Sequence, residues 1–271
     1  MGTVPIHRDT ATKGDYLEDS CYIIPERMIY RKGFYMPRNL LLISNSTLHG
    51  SGYLDHCEAN ICEFLGDHKT VAFVPFARPG GISHDGYTEI ARERFAKMGF
   101  SLSGVHEAGD MKAAVRNADA IFIGGGNTFV LLSGLHANDL LETIREEVTK
   151  GKPYIGTSAG SNVACRSIMT TNDMPIMYPP SFEALQLLPF NLNPHYLDPD
   201  PNSRHMGETR ATRIKEFHVF NEVPVLGLRE GAMLHVDGDK ILLKGTTGAR
   251  LFIRKQEPRE FLPGDDLSFL L

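Results

Sequence analysis

The chain has 271 residues, 42% of them hydrophobic and 23% charged, which leaves room for one large or two small globular domains with a sizeable core. Its 28 Lys and Arg against 33 Asp and Glu give a net charge of −5 with no basic run, which argues against nucleic acid or an anionic membrane as a partner. No stretch approaches the roughly 20 apolar residues of a membrane span, residues 1–15 lack the apolar centre of a secretion signal, and the four cysteines (Cys21, Cys57, Cys62, Cys165) show no C-x-x-C or metal-ligand spacing, so free thiols in a cytoplasmic protein are expected.

Residues 1–38 have no clear period and read as an accessory N-terminal extension, with a compact domain over 39–271. From Leu40 a strand–helix alternation begins. Leu40–Ile43 is apolar throughout, as expected of a strand buried on both faces of a parallel sheet. Asp55–Leu65 reads as a helix, Val71–Phe76 as a second buried strand, and Tyr87–Met98 as a helix stopped by Gly99. Ser101–Val105 fits a strand, Met111–Asn117 a helix, Ala120–Ile123 a strand and Leu140–Lys150 a helix. Pro153–Gly156 is the strand that feeds Gly156-Thr157-Ser158-Ala159-Gly160, and a helix follows through Cys165.

This pattern predicts an α/β fold with a doubly wound, mostly parallel sheet. In such sheets ligands bind beyond the carboxyl ends of the strands. Ser44–Thr47, Phe76–Arg78, Gly124–Thr128 and Gly156–Ser158 would all lie on that rim. The C-terminal third changes character. Thr170–Pro201 is long, proline-bearing and irregular, a length more often functional than idle. Glu208–Val219 reads as a helix and Val223–Leu228 as a strand. Ala232–Val236, Lys240–Leu243 and Arg250–Arg254 alternate with the turns Asp237-Gly238 and Thr246-Thr247-Gly248, which predicts hairpins and an antiparallel edge.

The chemistry concentrates at Ser158. In G-x-S-x-G between a strand and a helix, the glycines let two backbones approach while the serine stands off the sheet. A serine nucleophile needs a base, and the base an orienting acid. His195, in Asn193-Pro194-His195-Tyr196 of the irregular segment, is the leading base candidate, with His205 next. Asp173 and Glu230 compete for the acid. Gly125 and Gly126 could offer N–H groups to an oxyanion together with Ala159. A phosphate or dinucleotide loop is the weaker reading of the glycines, because neither G-x-G-x-x-G nor G-x-x-x-x-G-K-[ST] is present. A metal site built on His195, Asp198, Asp200 and His205 is disfavoured, since no H-E-x-x-H-like helical pairing exists.

Seven segments in order resemble the peptidase E (α-aspartyl dipeptidase) family: Leu42–Ser46, Phe73–Ala77, Gly124–Thr128, Gly156–Asn162, Thr170–Pro175, Asn193–His195 and Gly207–Arg210. The resemblance implies a flavodoxin-like sheet related to class I glutamine amidotransferases, and a cytosolic serine exopeptidase, monomer or homodimer, that needs no metal or other cofactor. Its substrate would be a small acidic dipeptide with N-terminal aspartate. Carried over, Ser158 is the nucleophile and His195 the base. The third member falls at Asp173 or Glu230, with Glu230 preferred because it follows a strand, which leaves Asp173 for the substrate's α-amino group. Arg210 is expected to hold the substrate's β-carboxylate as a bidentate fork, and Asn127 to bind substrate at the same rim. A related hydrolase of aspartyl polymers such as cyanophycin, and a non-catalytic binding protein on this scaffold, are the rival readings.

Overall fold

The apolar run Leu40–Ile43 has no face to turn to water, and β1 (Asn39–Ile43) is sealed inside a seven-stranded sheet. The structure is a computed structural model and describes residues 38–199 and 207–271. The extension expected over 1–38 therefore lies outside the described residues apart from Arg38, as do Cys21, Asp200 and His205.

After β1 the chain runs through α1 (Glu58–Leu65), β2 (Thr70–Val74), α2 (His84–Lys97), β3 (Ser101–Gly104), α3 (Met111–Asn117), β4 (Ala120–Ile123), α4 (Thr128–Ala137), α5 (Leu141–Thr149), β5 (Tyr154–Thr157) and α6 (Ala159–Val163). It continues with β6 (Asn191–Asn193), α7 (Arg210–Phe220), β7 (Val225–Leu228), β8 (Ala232–Asp237), β9 (Lys240–Gly245), β10 (Ala249–Phe252) and β11 (Arg259–Phe261). Pro75 donates no ladder hydrogen bond, and β2 stops at Val74. Helix α2 begins three residues before Tyr87, at His84, because the Ser83 hydroxyl accepts the Gly86 N–H at 3.0 Å. Helix α4 was not expected. Its sequence TFVLLSGLHA is apolar on nearly every side, so no 3.6-residue stripe marks it.

The large sheet has the order β3-β2-β4-β5-β1-β8-β9. The first five strands are mutually parallel, and β8 and β9 supply the expected antiparallel edge. Counted from β2, the run β3-β2-β4-β5 reproduces the flavodoxin-like order 2-1-3-4; the fifth position is filled by β1, which precedes the others in sequence. Apolar clusters cover both faces. One packs α1 and α2 against the sheet; the larger packs α4, α5, α6 and the segment Ala184–Phe190. No helix among the described residues is long and apolar enough to cross a membrane.

The turn at Thr246–Gly248 does not close a hairpin, contrary to expectation. Strand β10 leaves β9 and joins a second sheet of order β11-β10-β7-β6. Gly245 makes the crossing possible: its φ is +106°, and a Cβ there would lie 2.1 Å from the Gly231 carbonyl oxygen. The second sheet contains β6, a three-residue strand inside the otherwise irregular 170–199 stretch.

Candidate active site

Strand β5 delivers Ser158 to the rim at φ 52° and ψ −109°, a left-handed-side conformation that costs a non-glycine residue strain. Several contacts hold it. The Ser158 N–H donates to the Ile43 carbonyl at 3.0 Å, and the Ser161 hydroxyl lies 2.7 Å from that same oxygen and 2.8 Å from the Gly156 carbonyl. The flanking glycines permit the turn's tightness. A Cβ on Gly156 would meet the Gly160 backbone at 2.6 Å, and one on Gly160 would meet the Ile123 carbonyl at 2.1 Å.

His195 follows β6 and Pro194 and also takes a positive φ, 54°. Its Nε2 lies 2.9 Å from Ser158 Oγ and its Nδ1 2.7 Å from Glu230 Oε1. Glu230 stands just past β7. An ionised carboxylate only accepts, so Nδ1 carries the proton and Nε2 keeps its lone pair for the serine hydroxyl. That is the tautomer a general base requires. Asp173 stands elsewhere. Its Oδ2 accepts from the Thr128 N–H at 2.7 Å, the Thr128 hydroxyl at 2.6 Å and the Thr171 hydroxyl at 3.1 Å, at the start of α4. Of the two competing acids, Glu230 is the one at the imidazole.

Gly125 and Gly126 follow β4. A Cβ on Gly125 would sit 3.1 Å from the Cβ of Ser158, and one on Gly126, whose φ is +148°, would sit 2.2 Å from the Ala77 carbonyl. Tyr87, which no sequence pattern singled out, donates its hydroxyl to the Gly125 carbonyl at 3.2 Å while Arg78 stacks on its ring. Because a trans peptide sets C=O and N–H in opposite directions, fixing that carbonyl also fixes where the Gly126 N–H points. Asn127, expected at the substrate, stands at the start of α4. Its Oδ1 caps α4 through the N–H groups of Phe129 and Val130, and its Nδ2 donates to the Met174 carbonyl, so both ends of the amide are engaged within the protein.

A cavity of about 20 Å³ opens beside Ser158 and His195, lined also by Asn162, Thr171 and Asp173. Asn162 is buried, and its Oδ1 accepts no hydrogen bond among the described residues. A second cavity of about 40 Å³ lies next door across Thr171 and Asn172, and half-buried Arg210 lines it. Burial and the neighbouring Arg213 push the Arg210 pKa down, while Asp173 pulls it up. Of the four residues weighed as metal ligands, His195 faces Ser158 and Asp198 is held by Arg229; the other two fall outside the described residues.

The Asp198–Arg229 pair joins the loops that carry His195 and Glu230, through bonds of 2.6 and 3.0 Å. The Arg229 hydrogen bonds hold the Asp198 carboxyl below the usual carboxylate range despite partial burial. A depressed folded-state pKa means the pair's stabilisation is complete above the ordinary carboxylate pKa, about 4, and is lost as pH falls through the lowered value. The melting temperature should therefore fall with acidification below about pH 4, with a shallower acid limb in Asp198→Asn. Parallel limbs in thermal melts of the two proteins would refute this.

Comparison with known proteins fits this geometry. The sequence profile described as Peptidase family S51 matches residues 40–244. A protein of Streptomyces coelicolor named "Peptidase E" is 54% identical over 233 residues, covering 86% of this chain and 95% of that one. A protein of Drosophila melanogaster named "Probable alpha-aspartyl dipeptidase" is 52% identical over 237 residues, covering 86% of this chain and 98% of that one. The crystal structure of a peptidase from an acI-B1 actinobacterium superposes with a TM-score of 0.65 at 17% identity, over 87% of this chain and 98% of that one, and so shares the fold. The chain belongs to peptidase family S51.

Proposed function

We propose that the protein is a cytoplasmic serine exopeptidase that hydrolyses dipeptides with an N-terminal aspartate. One observation carries the reading: the unbroken hydrogen-bonded series Ser158 Oγ, His195 and Glu230 at the rim of a parallel sheet. The names of the S51 relatives support the substrate class.

Ser158 Oγ attacks the peptide carbonyl as His195 Nε2 takes its proton, and the imidazolium is stabilised by Glu230. The developing oxyanion is held by the N–H of Ala159 and that of Gly125 or Gly126, each such donor contributing about 3 kcal/mol. His195 returns the proton to the leaving amine, and water then releases aspartate from the acyl-enzyme by the same steps. The cavity beside Ser158 has room for roughly one water-sized group, the size of an ammonium. Its acceptors, Asp173 and Asn162 Oδ1, suit the substrate's free amine. Arg210 in the adjoining cavity suits the β-carboxylate.

The test is a substrate panel. Asp-Leu should be cleaved, and Asn-Leu and N-acetyl-Asp-Leu rejected by about 10^3-fold or more in kcat/KM, because each leaves a polar group of the site without its partner. Equal rates on Leu-Leu, or faster cleavage of a β-Asp-Arg polymer, would overturn the assignment.

A further inference from the structure

The residues at the active site come from two different sheets. Ser158 follows β5 of the large sheet, whereas His195 and Glu230 follow β6 and β7 of the small one. Three consecutive residues where β1 ends reach all three. The Ile43 carbonyl accepts the Ser158 N–H. The Ser44 hydroxyl accepts the His195 N–H at 2.9 Å and donates to the Leu228 carbonyl, also at 2.9 Å. The Asn45 Oδ1 accepts the N–H of Gly231, the residue after Glu230, at 2.8 Å.

We propose that Ser44 and Asn45 are positioning residues that lock the small sheet's two loops on to the large sheet and so hold imidazole and carboxylate in line with the Ser158 hydroxyl. Both side chains are buried, at 0% and 1% exposure, so solvent offers the freed N–H groups no substitute partner. The need at His195 is specific. Its positive φ is not a conformation the residue adopts unaided, and the Ser44 hydroxyl is the group its N–H meets. Next to it, the Tyr196 N–H already occupies the Leu228 carbonyl at 2.9 Å, so Ser44, His195, Tyr196 and Leu228 form one closed patch of hydrogen bonds between the sheets. Neither residue touches the cavity beside Ser158; both act through the residues they hold.

The inference rests on the serine-peptidase reading, and its test has one readout that does not depend on substrate. In Ser44→Ala, kcat on Asp-Leu should fall by about 10^2-fold, the scale of a small misplacement of reacting groups, with KM within about threefold. The downfield proton resonance of His195 Nδ1–H against Glu230 should weaken or move upfield. Ser44→Thr, which keeps the hydroxyl, should recover most of both. A folded Ser44→Ala with near-parental kcat and an unmoved resonance would overturn the proposal. If Ser44→Ala does not fold, Asn45→Ala is judged by the same two measurements and the same outcomes. A parent protein inactive on every Asp-X dipeptide sinks the peptidase reading, while the resonance and its response to Ser44→Ala still decide the positioning role.

Discussion

Ser158→Ala is expected to lower kcat on Asp-Leu by roughly 10^4–10^6-fold, the range found when a hydrolase loses its nucleophile. The protein should stay folded. The substitution keeps the Cβ and both the Ile43 and Ser161 contacts of the turn, and removes only the hydroxyl that meets His195. KM should change little, since Asp173, Asn162 and Arg210 remain. Steady-state kinetics with a matching circular-dichroism melt checks this. Activity above about 1% of the parent in a preparation free of contaminating peptidase would remove Ser158 from the reaction.

Glu230→Gln and Asp173→Asn should separate two roles that the sequence left open. Glu230→Gln keeps the shape but allows an amide to donate toward Nδ1 and favour the wrong imidazole tautomer. A buried aspartate in this role is worth about 10^4 in kcat. Glu230 is 52% exposed in its side chain, and water screens it, so a loss nearer 10^2–10^3 is expected. KM should hold. Asp173→Asn should do the reverse: KM rises as the ammonium loses its counter-charge, and kcat changes less. It should also cost about 1 kcal/mol of stability, because the same oxygen receives the Thr128 N–H at the start of α4. A rate loss at constant KM in Asp173→Asn, with Glu230→Gln silent, would exchange the two assignments.

What the sequence displays depends on whether the physics is local. Leu40–Ile43 and Ala120–Ile123 announce buried parallel strands because both faces of each are apolar, and Ser158 is visible because its turn needs glycines at fixed offsets. His195 stands out by its place after a proline in a stretch too long to be idle. Helix α4 was silent because its sequence is apolar on nearly every side and leaves no polar face to set a period. The second sheet was silent because β6 is three residues long, and pairing with β7 lies in neither segment's own pattern. Ser44, Asn45 and Tyr87 could be located on the rim or in a helix, but their partners are backbone groups at distant positions, and no spacing rule points to those.

The swerve of the chain after β9 has a consequence for how the protein is made. Strand β7, which leads to Glu230, has β10 as its antiparallel neighbour, and β10 in turn is flanked by β11, the last strand among the described residues. A nascent polypeptide that has already emerged past Ser158 and His195 thus carries both residues before the sheet that precedes Glu230 is complete. The strands that neighbour β7 are complete only once the residues around Phe261 have been made. A chain cut short before Arg259 lacks the strand that flanks β10.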